Sequence, residues 1–331
     1  MGRRPTPGRP TLGDAVRARR AIRGIAVPTP VLTSDVLAEH AGRDVHLKLE
    51  ILQPTHSFKV RGAANRILAI PEDARRRGVV TVSTGNHGRA VAHVARRLGI
   101  PAIVYMSELV GAHKVAEVRR LGAEVRIEGA NQDDAGAAAI ELARERSMTL
   151  VNPFDDAHVI AGQGTIALEL LERRSPATIV VPVGGGGLIS GIALVAKSID
   201  PAIRVVGVSM ERGPAMHDSQ RAGRPIDVEE VPTLADSLGG GIFLDNRHTF
   251  ALVRDLVDDL VLVSEDEIAD AMVLLLRAHH VAVEGGGAVG VAALLAGRAG
   301  GDGDVAIVLS GANVDTAALA RMVLERDVAA R

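Results

Sequence analysis

Apolar and polar positions follow two rhythms along this chain, and the switch between them recurs from residue 78 onward. Short apolar runs at 78–82, 102–106, 178–183 and 305–309 have the length of buried strands. Shorter strand-like runs fall at 124–127, 204–208 and 260–263. Stretches with helical spacing lie between them, at 86–98, 112–121, 133–146, 157–173, 265–278 and 288–295, with a last one from 316 to the end. Such alternation predicts an α/β protein with parallel strands joined by crossover helices. Upstream, a helix is expected over 12–23, broken by Pro28-Thr29-Pro30. Residues 45–50 then alternate as a strand, and a helical pattern opens at Lys59 and ends near Ile70-Pro71. Residues 1–10 read as a loose tail and 231–246 as a glycine-rich loop. The pattern divides into two lobes: 76–151 forms the smaller, and 1–75 with 152–331 forms the larger.

Composition narrows the field. A chain of 331 residues can bury one enzyme-sized core, and its net charge of −2 gives no reason to expect nucleic acid as a partner. No cysteine is present, so disulfides and thiolate metal sites are excluded. No apolar run reaches membrane-spanning length and the N-terminus lacks an apolar signal core, so the expectation is a cytoplasmic protein with no membrane partner. One Tyr, four Phe and no Trp leave an aliphatic core. Only four of the 38 basic residues are lysines: Lys48, Lys59, Lys114 and Lys197. Arginine neither gives up its proton nor forms an imine, so a lysine in such a chain raises a chemical question.

Five stretches carry chemistry. Thr55-His56-Ser57-Phe58-Lys59 places an amine on a turn that opens a helix. Ser83-Thr84-Gly85-Asn86-His87-Gly88 follows a strand and starts a helix, where hydroxyls and exposed amides suit a carboxylate, or merely cap the helix. Gly184-Gly185-Gly186-Gly187-Leu188 joins a strand to a helix and suits a phosphate, or is a tight turn. Its spacing is neither G-x-G-x-x-G nor a P-loop. Ser310-Gly311-Ala312-Asn313 closes the last strand, and Glu284 precedes another glycine-rich helix start. The histidines His56, His87, His279 and His280 do not make a metal-ligand spacing, and no G-x-S-x-G elbow occurs.

Together, Ser57-Phe58-Lys59, residues 83–88, residues 184–188 and residues 310–313 resemble the fold type II pyridoxal-phosphate (PLP) enzymes, the tryptophan synthase beta-like α/β fold. Their order and spacing match the threonine/serine dehydratase and serine racemase branch, as does Ile160-Ala161-Gly162-Gln163-Gly164-Thr165. Residues 208–212 and 235–241 resemble the dehydratases of hydroxyectoine utilisation. The resemblance implies two lobes, each with a mainly parallel sheet flanked by helices, and a homodimer. It implies that Lys59 carries PLP as a Schiff base and later removes the substrate Cα proton. Phe58 would flank the ring, Asn86 would bond its hydroxyl, and the amides of Gly184, Gly185, Gly186, Gly187 and Leu188 would hold the phosphate. Glu284 would join the cofactor site, and Ser310 would face the pyridine nitrogen. Ser83, Thr84, Gly85, Asn86 and His87 would hold the substrate carboxylate, with Ser83 and Thr84 beside the reacting carbon.

A hydroxyl facing the ring nitrogen does not enforce a positive charge on it, so the ring is a weaker electron sink. β-Elimination tolerates this, because the departing hydroxyl takes the electrons. The implied reaction is conversion of a β-hydroxy-α-amino acid to a 2-oxo acid and ammonia. The runner-up is a serine or aspartate racemase of the same fold, and the non-enzyme alternative is a ligand-binding protein that retains the fold. Three departures stand out. Racemases carry serine where Thr84 stands. The branch's metal-site glutamate is absent from Val208-Ser209-Met210, with Glu211 displaced, so no metal is expected. Gln132-Asp133-Asp134-Ala135 replaces the racemase arginine near the substrate.

Overall fold

The computed structural model describes residues 8–329 apart from 84, 109, 130 and 131. Ten strands form two sheets among the described residues: β1 (Val31–Thr33), β2 (Val45–Leu49), β3 (Val79–Val82), β4 (Ala102–Met106), β5 (Glu124–Ile127), β6 (Thr149–Leu150), β7 (Thr178–Pro182), β8 (Arg204–Met210), β9 (Asp259–Val263) and β10 (Val305–Leu309). The six-stranded sheet has the order β1-β2-β10-β7-β8-β9. Only β1 runs antiparallel, against β2. The four-stranded sheet, β5-β4-β3-β6, is entirely parallel.

Helices cover both faces of each sheet, which explains the unbroken apolar runs. Every residue of β2, β4, β7 and β10 is buried. Helices Glu265–His279 and Gly285–Leu295 close one face of the large sheet, while Ala157–Leu171 and Gly187–Ile199 close the other. One face of the small sheet packs on Asn86–Leu98 and on the helix Lys59–Leu68, the other on Gln132–Glu145.

The structure corrects the expectation for β2. Its alternating pattern predicts one exposed face, yet His46 and Lys48 are buried along with the apolar positions. Lys48 lies inside because its charge is matched there. Its Nζ donates to Glu169 Oε2 and to the Thr29 carbonyl, both at 2.7 Å. Arg61 bridges Glu169 and Glu50 at 2.7–2.9 Å. Two cations and two carboxylates thus form a neutral buried cluster joining β2, the turn after it and two helices. Pattern reading also passes over β1, β6 and the helices Asp35–Ala41, Ala215–Ala222 and Thr249–Leu256, which are too short or too irregular in period to stand out.

Parallel strands leave their carboxyl ends on one side. Here the chain leaving β2, β3, β6, β7 and β10 supplies Lys59, Ser83 and residues 85–87, Pro153, residues 184–187 and residues 310–313. Ligands of open α/β sheets gather at such ends.

Candidate active site

Lys59 is fixed from several directions. After β2, a 3₁₀ turn (Glu50–Leu52) and His56, whose φ of 55° lies in the left-handed region, turn the chain back. Ser57 then pairs with Gly311, Phe58 N–H donates to the Ser310 carbonyl at 3.0 Å, and Ala312 N–H donates to the His56 carbonyl at 2.9 Å. The turn is stitched to the end of β10, and the helix starts at Lys59.

The Lys59 amine donates to the Pro153 carbonyl at 3.0 Å and lies 5.3 Å from the Phe58 ring centre. No carboxylate touches it within ion-pair distance among the described residues. Burial therefore lowers its pKa to about 8, against the opposing pull of Glu284. At neutral pH about a tenth of such amines are uncharged, against fewer than about one in a thousand for an ordinary lysine. Only the uncharged amine attacks an aldehyde or accepts a proton.

The second wall is the start of helix Asn86–Leu98. Ser83 Oγ accepts from Gly85 N–H at 3.2 Å. Asn86 Nδ2 donates to Glu284 Oε1 at 2.6 Å, and Asn86 Oδ1 accepts from Asn313 Nδ2 at 2.5 Å. Glu284 also accepts from the Asn313 backbone at 3.0 Å. Burial raises the Glu284 pKa, and the negative charge of Asp236 adds to this. Hydrogen bonds from Asn86, Ser237 and Asn313 pull the other way. His87 is buried, its Nε2 against the Val151 carbonyl at 3.1 Å. A carbonyl only accepts, so Nε2 carries the hydrogen and Nδ1 is a bare acceptor. Burial and the neighbouring Lys59 charge lower its pKa to about 3, so the ring is neutral at physiological pH.

The glycine run is a left-handed turn, with Gly186 at φ 86°, ahead of helix Gly187–Ile199. By helix geometry the first amides of that helix have no intrahelical acceptor. The glycines also have a packing reason. A Cβ on Gly185 would fall 2.3 Å from the Phe154 ring, one on Gly184 2.7 Å from the Leu238 carbonyl, and one on Gly186 2.7 Å from Met216. Phe154 in turn stacks on Phe243 at 4.7 Å. Asp155, next in the chain, accepts from the amides of Arg247, His248 and Thr249 at 2.7–2.9 Å, which ties this segment to helix Thr249–Leu256.

A cavity of about 540 Å³ lies among these elements. Of the residues singled out in the sequence, Lys59, Ser83, Gly85, Asn86, His87, Gly185 and Glu284 line it. Phe58, Gly184, Gly186, Gly187, Leu188 and Ser310 are not among its lining residues. Ser310 is buried, with its hydroxyl 3.5 Å from the Gly286 carbonyl. Thr84 lies outside the described residues, as do the side chains of Gln132 and Asp133. Glu211 is exposed at the end of β8. Sequence reading missed Pro153 and Arg89, and it gave Asn313 no role. It also missed the ion pair of Lys114 with Asp236 (2.6 Å), two cavity residues from opposite sides. The scarcity of lysine was the one signal for Lys114.

A buried amine of lowered pKa, a glycine turn and a polar helix start meet around one cavity, an arrangement suited to a cofactor bearing an aldehyde and a phosphate. His87, which lines the cavity, has its buried Nδ1 without a hydrogen-bond partner, so the pocket has polar capacity left for a ligand. The chain belongs to the family described as pyridoxal-phosphate dependent enzyme, which matches residues 22–311. An L-threonine ammonia-lyase of Thermotoga maritima is 44% identical over 314 residues, 95% of this chain and 78% of that protein. The solved threonine deaminase from T.th. has TM-score 0.85 at 38% identity, covering 92% of this chain and 99% of that one. Maize serine racemase has TM-score 0.90 at 34% identity, covering 97% and 98%.

Proposed function

We propose that this protein is a PLP-dependent ammonia-lyase that converts a β-hydroxy-α-amino acid, with L-threonine and L-serine as generic substrates, to a 2-oxo acid and ammonia. The observation that carries this reading is the Lys59 amine, depressed to a pKa of about 8 and facing a cavity shared with Ser83, Gly85, Asn86 and His87. The threonine ammonia-lyases among its relatives support it.

Bound PLP would supply the electron sink that acidifies the substrate Cα–H. Lys59 would hold the cofactor and then take that proton at Nζ, with the Pro153 carbonyl orienting the amine. Ser83 and the amides around Asn86 and His87, at a helix start, would hold the substrate carboxylate, as would Thr84. Phe58 would flank the ring, Asn86 would bond the ring hydroxyl, the amides of 184–188 would hold the phosphate and Ser310 would face the ring nitrogen. Glu284 would reach the cofactor beside Asn86. Residues 76–151 would form the smaller lobe and 1–75 with 152–331 the larger.

We infer further that the physiological substrate is a hydroxyamino acid derived from hydroxyectoine. Arg212, Asp236, Ser237 and Gly239–241, from the two stretches carrying that finer resemblance, all line the cavity. A homodimer is what the family implies, and a cytoplasmic setting goes with the sequence's lack of an apolar signal core. No helix among the described residues is long and apolar enough to cross a membrane.

The test is a screen of hydroxylated amino acids for ammonia and 2-oxo acid release. Pyruvate from L-serine or 2-oxobutanoate from L-threonine supports the lyase. D-serine without ammonia supports the racemase. Silence with every substrate, in a protein that takes up no PLP, supports the binding protein.

A further inference from the structure

We propose that Arg89 is a positioning residue: acting through Asn313, it fixes which end of the Asn86 amide faces the cofactor ring. This rests on the reading that Asn86 bonds the ring hydroxyl.

An amide side chain has a donor end and an acceptor end of nearly equal shape, so only its partners decide its orientation. Arg89 Nη1 donates to Asn313 Oδ1. At its other end, Asn313 Nδ2 meets the Thr55 carbonyl at 3.0 Å and Asn86 Oδ1 at 2.5 Å. A guanidinium only donates and a backbone carbonyl only accepts. Asn313 is therefore held with its oxygen toward Arg89 and its nitrogen toward Thr55 and Asn86. Its two amide hydrogens are then spent on two acceptors. Asn86 must present its oxygen to Asn313, which turns its nitrogen to Glu284 and the cavity. One Asn86 hydrogen goes to Glu284 Oε1 at 2.6 Å, leaving the second for a cofactor oxygen.

Reversing Asn86 would set nitrogen against nitrogen at Asn313 and oxygen against oxygen at an ionised Glu284. The two ends of the chain are not equally dependable, however. Burial pushes the Glu284 carboxyl up, and a protonated carboxyl can donate as well as accept. Burial also pulls the Arg89 guanidinium down, but from so high a starting value that it keeps its proton at any working pH. It is also held in place, with its side chain only 15% exposed and Glu117 3.8 Å away. The orientation is thus imposed from the Arg89 end. Arg89 stands on helix Asn86–Leu98 and Asn313 follows β10, so the relay joins the small-sheet side of the cavity to the large-sheet side.

The test uses the cofactor-stripped enzyme titrated with PLP. It reads the dissociation constant and the absorption maximum of the bound cofactor, which responds to a hydrogen bond at the ring hydroxyl. Thermal melting confirms the fold of each variant. Arg89→Met removes the donors, and Asn313→Asp removes the relay's own donor without changing its shape. Both are expected to weaken PLP binding about tenfold and to displace the absorption maximum. Arg89→Lys, still a pure donor, is expected to stay within about twofold of the parent. Asn86→Ala is the reference. If it weakens binding and moves the band while Arg89→Met and Asn313→Asp do neither, the relay is wrong and the Asn86 contact stands. If Asn86→Ala itself changes nothing, the contact on which the relay acts is wrong.

Discussion

Lys48 and Lys59 stand at the two ends of one short connection, yet they belong to opposite kinds of site. Burial pushes both amines down. Lys48 touches the Glu169 carboxylate at 2.7 Å and has no exposed surface. Its charge is matched, and nothing can reach it. Lys59 has a neutral carbonyl for a partner and a cavity in front of it. The comparison teaches that depth alone does not make a lysine reactive. What separates the two is whether the chain also provides a contacting carboxylate and whether it leaves room for a reactant.

The sharpest way to break this contrast is Lys59→Ala. Turnover is expected to fall at least about 10³-fold, with loss of the long-wavelength absorbance of the bound cofactor, while the fold survives. Steady-state assays and spectra check this, and normal turnover would end the assignment. Next in size is Glu169→Ala, which strands the Lys48 charge inside and removes one of the two carboxylates that hold Arg61. It is expected to cost about 3–5 kcal/mol in urea unfolding.

A smaller effect concerns pH. In the cofactor-free protein the folded Lys59 pKa, about 8, lies below its ordinary value of 10.5. Between those values the unfolded chain binds the extra proton, so stability rises with pH across that window. Lys59→Met removes the group. The variant is expected to be about 1–3 kcal/mol more stable than the parent at pH 7, the gap closing by about pH 10.5. A constant gap across that range would disprove the depressed pKa. Smallest is Lys197→Met, which removes an ion pair with Asp258 near the surface. A loss of no more than about 1 kcal/mol is expected, with turnover unchanged.

Much of this was legible in the chain. Lys59, Asn86 and the glycine run are local words, and the parallel sheets follow from the apolar runs. The rest lay in contacts that leave no mark on composition. Pro153 acts through a backbone carbonyl, which any residue possesses. Asn313 and Arg89 matter through their pairing, far apart in sequence. Lys48 looked like one polar step in an alternating strand because its partner Glu169 is remote. Gly185 was read as room for a ligand, while the structure shows Phe154 occupying the space of a side chain there. The two reasons coexist, since the glycine still lines the cavity.

The placement of the four lysines has a last consequence. Pyridoxal phosphate is an indiscriminate electrophile that condenses with any accessible primary amine. On this protein Lys48 is sealed, and Lys114 and Lys197 are each neutralised by an aspartate. The rest of the basic side chains are guanidinium groups, inert toward it. Borohydride trapping of the loaded protein should therefore mark chiefly the peptide containing Lys59.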